Sequence, residues 1–325
     1  MRKALLAALC LLAMGSLANT PETRVFEFSY DIPEQEFPST EAVDIFIPMP
    51  TEEAGQRVLA QSLQSSLPGE VGREPTYGNT YYHIHRPAGS SVPLSASLRW
   101  TVARDITTAT GTGELTPEQR DRALAPDALV PVGDKILQPI LAEIHQKRAD
   151  DSPASTARAI YDWVVDNVEY KKVGTGWGNG DTFWACSERY GNCTDFHALF
   201  ISLARTEGIP ARFEIGFPVP EDRAEGEIGG YHCWVKFYLP DRGWVPIDAS
   251  EAAKHPELRE LLYGSYPADR IHFSTGRDLV LSPGSAAAPL NYFIYPYVEV
   301  GGKPWPGKVA TRFSFADVAS PDAGG

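Results

Sequence analysis

Apolar positions along the chain follow two rhythms. Up to about residue 108 they alternate with polar ones, as in Phe26, Phe28 and Tyr30, then Val43, Ile45 and Ile47, then Leu94, Ala96, Leu98, Trp100 and Val102. A period of two marks strands with one buried face. The stretches between them, PSTEA, PMPTEEAGQ and RPAGSS, carry the turn residues that separate antiparallel strands. A small N-terminal β-sandwich is therefore expected over about residues 22 to 108, with the whole β domain taken as 19–110.

After a Thr- and Gly-rich stretch from Thr107 to Glu118, read as a linker, the rhythm becomes helical. Helices are expected over about Lys135 to Gln146 and Thr156 to Val168, the second burying Ile160, Trp163, Val164 and Val168. The sharpest helical signal lies in YGNCTDFHALFISLARTEGIPAR, from Tyr190 to Arg212. Counted from Cys193, the residues Phe196, Leu199, Phe200 and Leu203 form one buried stripe. Asn192 is a favourable N-cap, Gly208 a C-terminal stop, and Pro210 prevents continuation. A cysteine thus opens a helix.

Downstream, Arg212 to Phe217 reads as a short strand, and Pro218 to Gly230 as a mobile acidic loop with Glu221, Asp222, Glu225 and Glu227. Tyr231 to Tyr238 and Trp244 to Asp248 form a hairpin turning through Pro240 to Gly243. The strand-like stretches Asp278 to Leu281 and Tyr292 to Val300 are expected to extend the same sheet, and the tail from Ala319 to Gly325 to be disordered. The glycine-rich GTGWGNGD, Gly174 to Asp181, is expected to wrap close to the cysteine helix. Trp177 and Trp184 are candidate walls of a groove there. Together these elements give an α+β fold: a β domain, then a second domain over 111–318 with its core at 155–250.

Composition adds location and partners. The first twenty residues have Arg2 and Lys3, an apolar run and a small-residue pattern ending at Ala18, as in a signal peptide cut after Ala18. The apolar run falls short of the roughly 20 residues that span a bilayer, so no membrane span is expected after cleavage. Cys10 follows Leu9 instead of a small residue, which argues against a lipid anchor. The expected location is periplasmic or secreted. Cleavage removes Arg2 and Lys3 and deepens the formal charge from −13 to −15. So acidic a chain repels phosphate backbones and anionic lipid, which makes nucleic acid a poor partner.

Three cysteines remain after cleavage, Cys186, Cys193 and Cys233. In an oxidising compartment an odd number leaves at least one thiol unpaired, with a Cys186–Cys233 disulfide open as a pairing.

A thiol in the first turn of a helix sits among free backbone N–H groups at the positive end of the dipole, which favours the thiolate. A lone cysteine is more often packing. Acyl chemistry would also need a base, and a partner to fix that base's tautomer. His232 and Asp248, both on the hairpin, are the candidates. They can point into one cleft only if paired residues on the two strands have numbers with an even sum. The hairpin must then have an odd-length loop or a bulge at Gly243.

His197, one helical turn past Cys193, is a weaker candidate base because a helical neighbour rarely reaches the thiol in line. Asp195 is read as structural, capping the helix or holding a neighbouring loop. Cys233, next to His232, should face the opposite side of its strand and stay out of the cleft. His83 and His85 share a strand face without an evident third ligand, and are read as surface histidines.

The order Cys193, His232, Asp248, with the cysteine opening a helix and the other two on adjacent strands, resembles the transglutaminase-like branch of the papain-like cysteine enzymes. The matching residues are Tyr190, Gly191, Cys193, Asp195, the run Arg205 to Arg212 ending in GIPAR, His232 with Trp234, and Gly243, Trp244, Val245, Pro246 and Asp248. They span about residues 155 to 250. The resemblance implies Cys193 as nucleophile, His232 as general base and acid, and Asp248 as orienting carboxylate. It also implies a second oxyanion donor from an upstream side chain, for which Asn192, Trp177 and Trp184 are candidates.

The implied activity is hydrolysis or transfer of amide or peptide acyl groups through a thioester, with protease or amidase action favoured over crosslinking. The implied substrate is a protein or peptide. No cofactor or metal is expected: Cys186, Cys193, His232 and Cys233 are zinc-type ligands, but strand alternation separates His232 from Cys233. The alternative is a non-catalytic envelope binding or scaffolding module that keeps the fold.

Overall fold

The computed structural model describes residues 23–281 and 288–318. The expected signal peptide with Cys10 and the expected tail at 319–325 lie outside them. The architecture is α+β: β-sheets at the N-terminal end, followed by a helix-and-sheet core.

Two five-stranded antiparallel sheets build the β region. One has the order Glu225–Glu227, Arg312–Asp317, Thr23–Gln35, Leu94–Asp105, Gln56–Ser65. The other runs Lys303–Pro304, Tyr297–Val300, Val43–Pro48, Thr80–Arg86, Gly69–Arg73. The alternating residues named above face inward: Phe26, Phe28, Tyr30, Val43, Ile45, Ile47, Leu98 and Trp100 are all buried in one cluster.

The C-terminal stretch departs from expectation. Arg270–Thr275 does join the core sheet, but Tyr297–Val300 pairs with Val43–Pro48, and Arg312–Asp317 pairs with Thr23–Gln35. The chain therefore returns to close the β region it began. Part of the acidic loop does the same, since Glu225–Glu227 forms an edge strand on Arg312–Asp317. Both mismatches have one cause: pairing partners lie far apart in sequence, and a short strand-like run does not say which sheet it completes.

The core sheet has four antiparallel strands in the order Gly243–Ile247, His232–Leu239, Ala211–Pro218, Arg270–Thr275. The cysteine helix, Cys193–Thr206, packs across it against the helices Pro153–Asn167, Thr182–Glu188 and Ala249–Lys254. On that face Phe200 meets Phe237, ring centroids 5.9 Å apart. Ile160, Trp163, Val164 and Val168 are buried, as the helical pattern requires.

An aromatic joint fixes the two regions together. Phe28 lies 5.2 Å from Phe217 and 5.4 Å from Phe273, and Trp100 lies 5.7 Å from Phe273. The expected linker is not free chain either. Thr107–Thr108 pairs with Ser265–Tyr266, and Thr110 N–H donates to Trp244 O. At the hairpin turn, Gly243 has φ +71°, and a Cβ there would sit 2.0 Å from Gly111 O. Glycine is required on both counts. No helix among the described residues is long and apolar enough to cross a membrane.

Candidate active site

The cysteine helix is capped at its first residue. Asn192 Oδ1 accepts from Thr194 N–H, and Asp195 Oδ2 accepts from Asn192 N–H, a reciprocal capping box. Asp195 also holds the glycine-rich loop, accepting from Gly178 N–H at 2.7 Å and Gly180 N–H at 3.0 Å. Three backbone donors converge on one buried carboxylate. Asp195 thus both caps the helix and anchors the loop beside Cys193.

The hairpin pairs Leu239 with Gly243 and Val235 with Ile247, so its loop has three residues and the register sum is even. Asp248, the residue after Ile247, therefore falls on the same face as Trp234 and His232. His232 Nε2 and Asp248 Oδ2 are 2.6 Å apart, and the imidazole also neighbours the Cys193 thiol. With Nε2 taken by Asp248, Nδ1 is the nitrogen left to face sulfur. The structure brings Cys193, His232 and Asp248 together in one buried cluster.

Burial alone would push the Cys193 thiol up, but hydrogen bonds from Cys233 and His232 and the His232 charge outweigh it and pull the thiol down to about 5. Burial would push His232 down. The Asp248 charge and hydrogen bond, with the thiol beyond them, lift it to about 10. The pair is thiolate and imidazolium at neutral pH.

Asp248 is buried and has four partners. Its Oδ1 accepts from Ser250 Oγ–H and Glu251 N–H, and its Oδ2 from His232 and from Arg270 Nη1 at 2.9 Å. Despite burial, the charges of His232 and Arg270 hold its carboxyl well below the usual range. Arg270 is itself buried, with its guanidinium over the Trp234 ring at 5.2 Å and the Tyr266 ring at 4.5 Å. Sequence reading missed this residue, because nothing local marks a strand arginine 22 positions past its carboxylate.

His197 does not compete as base. Burial pushes it down to about 3; its Nδ1 faces Cys233 Sγ at 3.5 Å, and its Nε2 lies 3.6 Å from Asp248 Oδ1.

Cys233 corrects an expectation. Strand alternation does send it to the face opposite His232, but that is the face the cysteine helix covers. There it neighbours the Cys193 sulfur, and its own Sγ lies 3.5 Å from Nδ1 of His197, one helical turn past Cys193. The helix N-terminus abuts the first residues of the strand, so one sulfur is reached from both faces. Cys186, Cys193 and Cys233 are all free thiols, and the Cys186–Cys233 disulfide is not formed.

Of the candidate oxyanion side chains, the two indoles are spent elsewhere. Trp177 Nε1–H donates to Gly174 O and Trp184 Nε1–H to Tyr190 O. Trp184 packs under Gly176, where a Cβ would come within 2.4 Å of its ring. Asn192 does stay beside Cys193, its Nδ2–H donating to Tyr231 Oη at 3.0 Å. The Tyr231 ring packs against Tyr292, centroids 5.7 Å apart. Burial and the Cys193 charge hold the Tyr231 phenol protonated. The Cys193 side chain is 2% exposed and His232 7%, so the site is nearly closed to solvent in this form.

Glu53, Glu214 and His272 present ligand-type atoms within 4.8 Å of one another. Lys236 Nζ already lies 2.7 Å from Glu53 and 3.1 Å from Glu214, so an ammonium fills the place a metal would take. His83 and His85 do have a third group nearby: Asp44 Oδ1, on the neighbouring strand, lies 2.8 Å from a ring nitrogen of each.

Comparison with known proteins agrees with this architecture. Residues 140–249 match the model of the transglutaminase-like superfamily. An uncharacterized protein of Haemophilus influenzae is 32% identical over 187 residues, 48% of this chain and 51% of that one. Uncharacterized YebA of Bacillus subtilis is 30% identical over 77 residues, 21% of this chain and 10% of its own length. The chain therefore spans about half of the first relative and a tenth of the second.

Among solved structures, one from Cytophaga hutchinsonii described as a putative cysteine protease superposes with a TM-score of 0.55 at 20% identity. It covers 91% of this chain and 98% of its own. At that identity the likeness concerns the fold. Residues 140–249 thus carry the transglutaminase-like core.

Proposed function

We propose that this protein is an exported cysteine-dependent amide hydrolase or acyltransferase acting on protein or peptide substrates through an acyl-enzyme on Cys193. The observation that carries the reading is the buried cluster of Cys193, His232 and Asp248, with His232 Nε2 2.6 Å from Asp248 and that carboxylate fixed by Arg270, a setting that favours thiolate, imidazolium and carboxylate. A structural cysteine needs none of this, since burial by itself would leave its thiol neutral.

In this reading the Cys193 thiolate attacks the substrate carbonyl carbon. The oxyanion meets the Cys193 backbone N–H at the helix start, with the Asn192–Tyr231 pair beside it. One well-placed donor of this kind is worth about 2.7 to 4 kcal/mol to the transition state. His232 Nδ1–H protonates the departing amine, leaving a thioester. Neutral His232 then takes a proton from water or from an acceptor amine as it attacks the thioester, and Cys193 leaves as thiolate. Asp248, fixed by Arg270 and Ser250, keeps Nε2 as the donor side of the ring throughout.

The test is alkylation by iodoacetamide near neutral pH, followed by trapping of adducts from cell-envelope extracts and their identification by mass. Cys193 should react faster than a model thiol and carry an acyl adduct that Cys193→Ala lacks. A Cys193 that reacts no faster than a model thiol, in a protein whose Cys193→Ala variant behaves like wild type, would sink the proposal.

A further inference from the structure

We propose that Cys193 and Cys233 form a reversible disulfide, which masks the nucleophile under oxidising conditions and shields it from irreversible oxidation. Cys233 shares with Val235 and Phe237 the strand face that the cysteine helix covers, and its Sγ lies 3.5 Å from Nδ1 of His197, one helical turn past Cys193, which sets the two thiols side by side. Both side chains are buried, so neither sulfur has to leave a solvated position to meet the other. Closing the bond brings the two sulfurs to about 2.05 Å of each other. Cys186, on the separate helix Thr182–Glu188, has no such contact with Cys193 among the described interactions.

The two thiols are unequal in the way such chemistry needs. Cys193 is held as thiolate, whereas burial and the Cys193 charge keep Cys233 a protonated thiol. With a peroxide as oxidant, the Cys193 thiolate attacks one oxygen; the S–O bond forms, the O–O bond breaks and hydroxide leaves. Cys193 is now a sulfenic acid. The Cys233 sulfur then attacks the Cys193 sulfur, so that S–S forms, S–O breaks, and the departing hydroxide combines with the Cys233 proton as water. His197 Nδ1, at 3.5 Å from Cys233 Sγ, faces that proton. Overall, two thiols and one peroxide give one disulfide and two waters. Without the second thiol, and with no small thiol present, the sulfenic acid is left open to irreversible oxidation to sulfinic acid by further peroxide.

Masking rests on the proposed role of Cys193, but formation of the bond does not. The experiment therefore reads the bond. The full chain, fully reduced and kept native, is exposed to hydrogen peroxide; remaining thiols are blocked with iodoacetamide, and the protein is digested without reductant. The expected result is a cross-linked peptide joining Cys193 to Cys233, opened again by dithiothreitol, with Cys186 still alkylated. Cys233→Ser under the same treatment should accumulate sulfinic Cys193 that dithiothreitol does not reverse. Wild type in which Cys193 becomes sulfinic while Cys233 stays alkylatable, or is cross-linked to Cys186 instead, overturns the proposal without reference to turnover.

Discussion

One face of the core sheet holds two buried ionic assemblies separated by a single tryptophan. At one end, His232 and Asp248 meet Cys193 and Arg270; towards the other, Lys236 and Glu214 meet Glu53 and Arg104 from the β region. Trp234 lies between, its indole N–H donating to Glu214 Oε2 at 2.9 Å and its ring 5.9 Å from the His232 ring.

The inventories are alike in kind: each interleaves buried cations with buried anions. The second is closed on itself. Lys236 contacts both carboxylates, Arg104 Nη1 lies 2.7 Å from Glu53, and Arg212 Nη2 lies 2.7 Å from Glu214. The first ends in a sulfur whose charge has one cationic partner, at the mouth of the strands. On the proposed function, the comparison separates a structural ion network from a reactive one by whether the last anion in it has an electron pair left to give.

The largest expected effect breaks the closed assembly. Lys236→Met strands Glu53 and Glu214 as buried, poorly paired carboxylates, at a cost of about 3–5 kcal/mol. Thermal unfolding should drop accordingly, and adding Glu53→Gln and Glu214→Gln should recover part of the loss. Unchanged melting would mean that the network is wetter than its geometry implies.

Next, His232→Ala removes the charge that holds the Cys193 thiolate. Iodoacetamide labelling of Cys193 at pH 7 should slow by about two orders of magnitude, through loss of thiolate. The melting temperature should move far less than in Lys236→Met. The reverse ranking would erase the distinction between the two assemblies.

The ion pair also predicts how stability varies with pH. Cys193 drops from 9.0 to about 5 on folding, so between pH 5 and 6.5 the unfolded chain binds an extra proton and stability rises with pH. His232 rises from 6.5 to about 10, so from 6.5 to 9 the folded state keeps the proton on His232 that the unfolded chain holds on Cys193. The two contributions then cancel. Above 9 only the folded state holds a proton, and stability falls towards pH 10. Denaturant titrations of wild type minus Cys193→Ala/His232→Ala should show this plateau with its two shoulders; a monotonic difference would mean that the two groups titrate independently.

The smallest effect concerns the cap. Asn192→Ala removes the acceptor for Thr194 N–H and should cost about 1 kcal/mol of stability. Chemical denaturation measures it. A cost as large as that of Lys236→Met would show that Asn192 belongs to the ionic core.

Much of the reactive assembly was legible in sequence because its signals are local. Asn192, the stripe Phe196 to Leu203, and Gly208 with Pro210 delimit a helix observed at Cys193–Thr206. Pro240 to Gly243 mark the hairpin turn, and its odd loop, set as the condition for His232 and Asp248 to share a cleft, is met by the pairing of Leu239 with Gly243. The closed assembly was not legible at all, since Glu53 and Lys236 are far apart in the chain and neither carries a local mark. Nor was Arg270. Cys233 was misread for a different reason: alternation gave the right face, but not the element covering it.

The glycine-rich loop has a consequence for engineering. Gly174, Gly176, Gly178 and Gly180 all take positive φ, so every second residue is set in a conformation that other residues resist. Asp195 grips the loop's N–H groups, and Arg277 donates to Gly180 O and Asn179 O. With its backbone held from two sides, the loop acts as a rigid comb whose teeth are Thr175, Trp177 and Asn179. Those three positions are where a library of variants can re-cut the rim of the site while the backbone that carries them, and the sulfur behind it, stay in place.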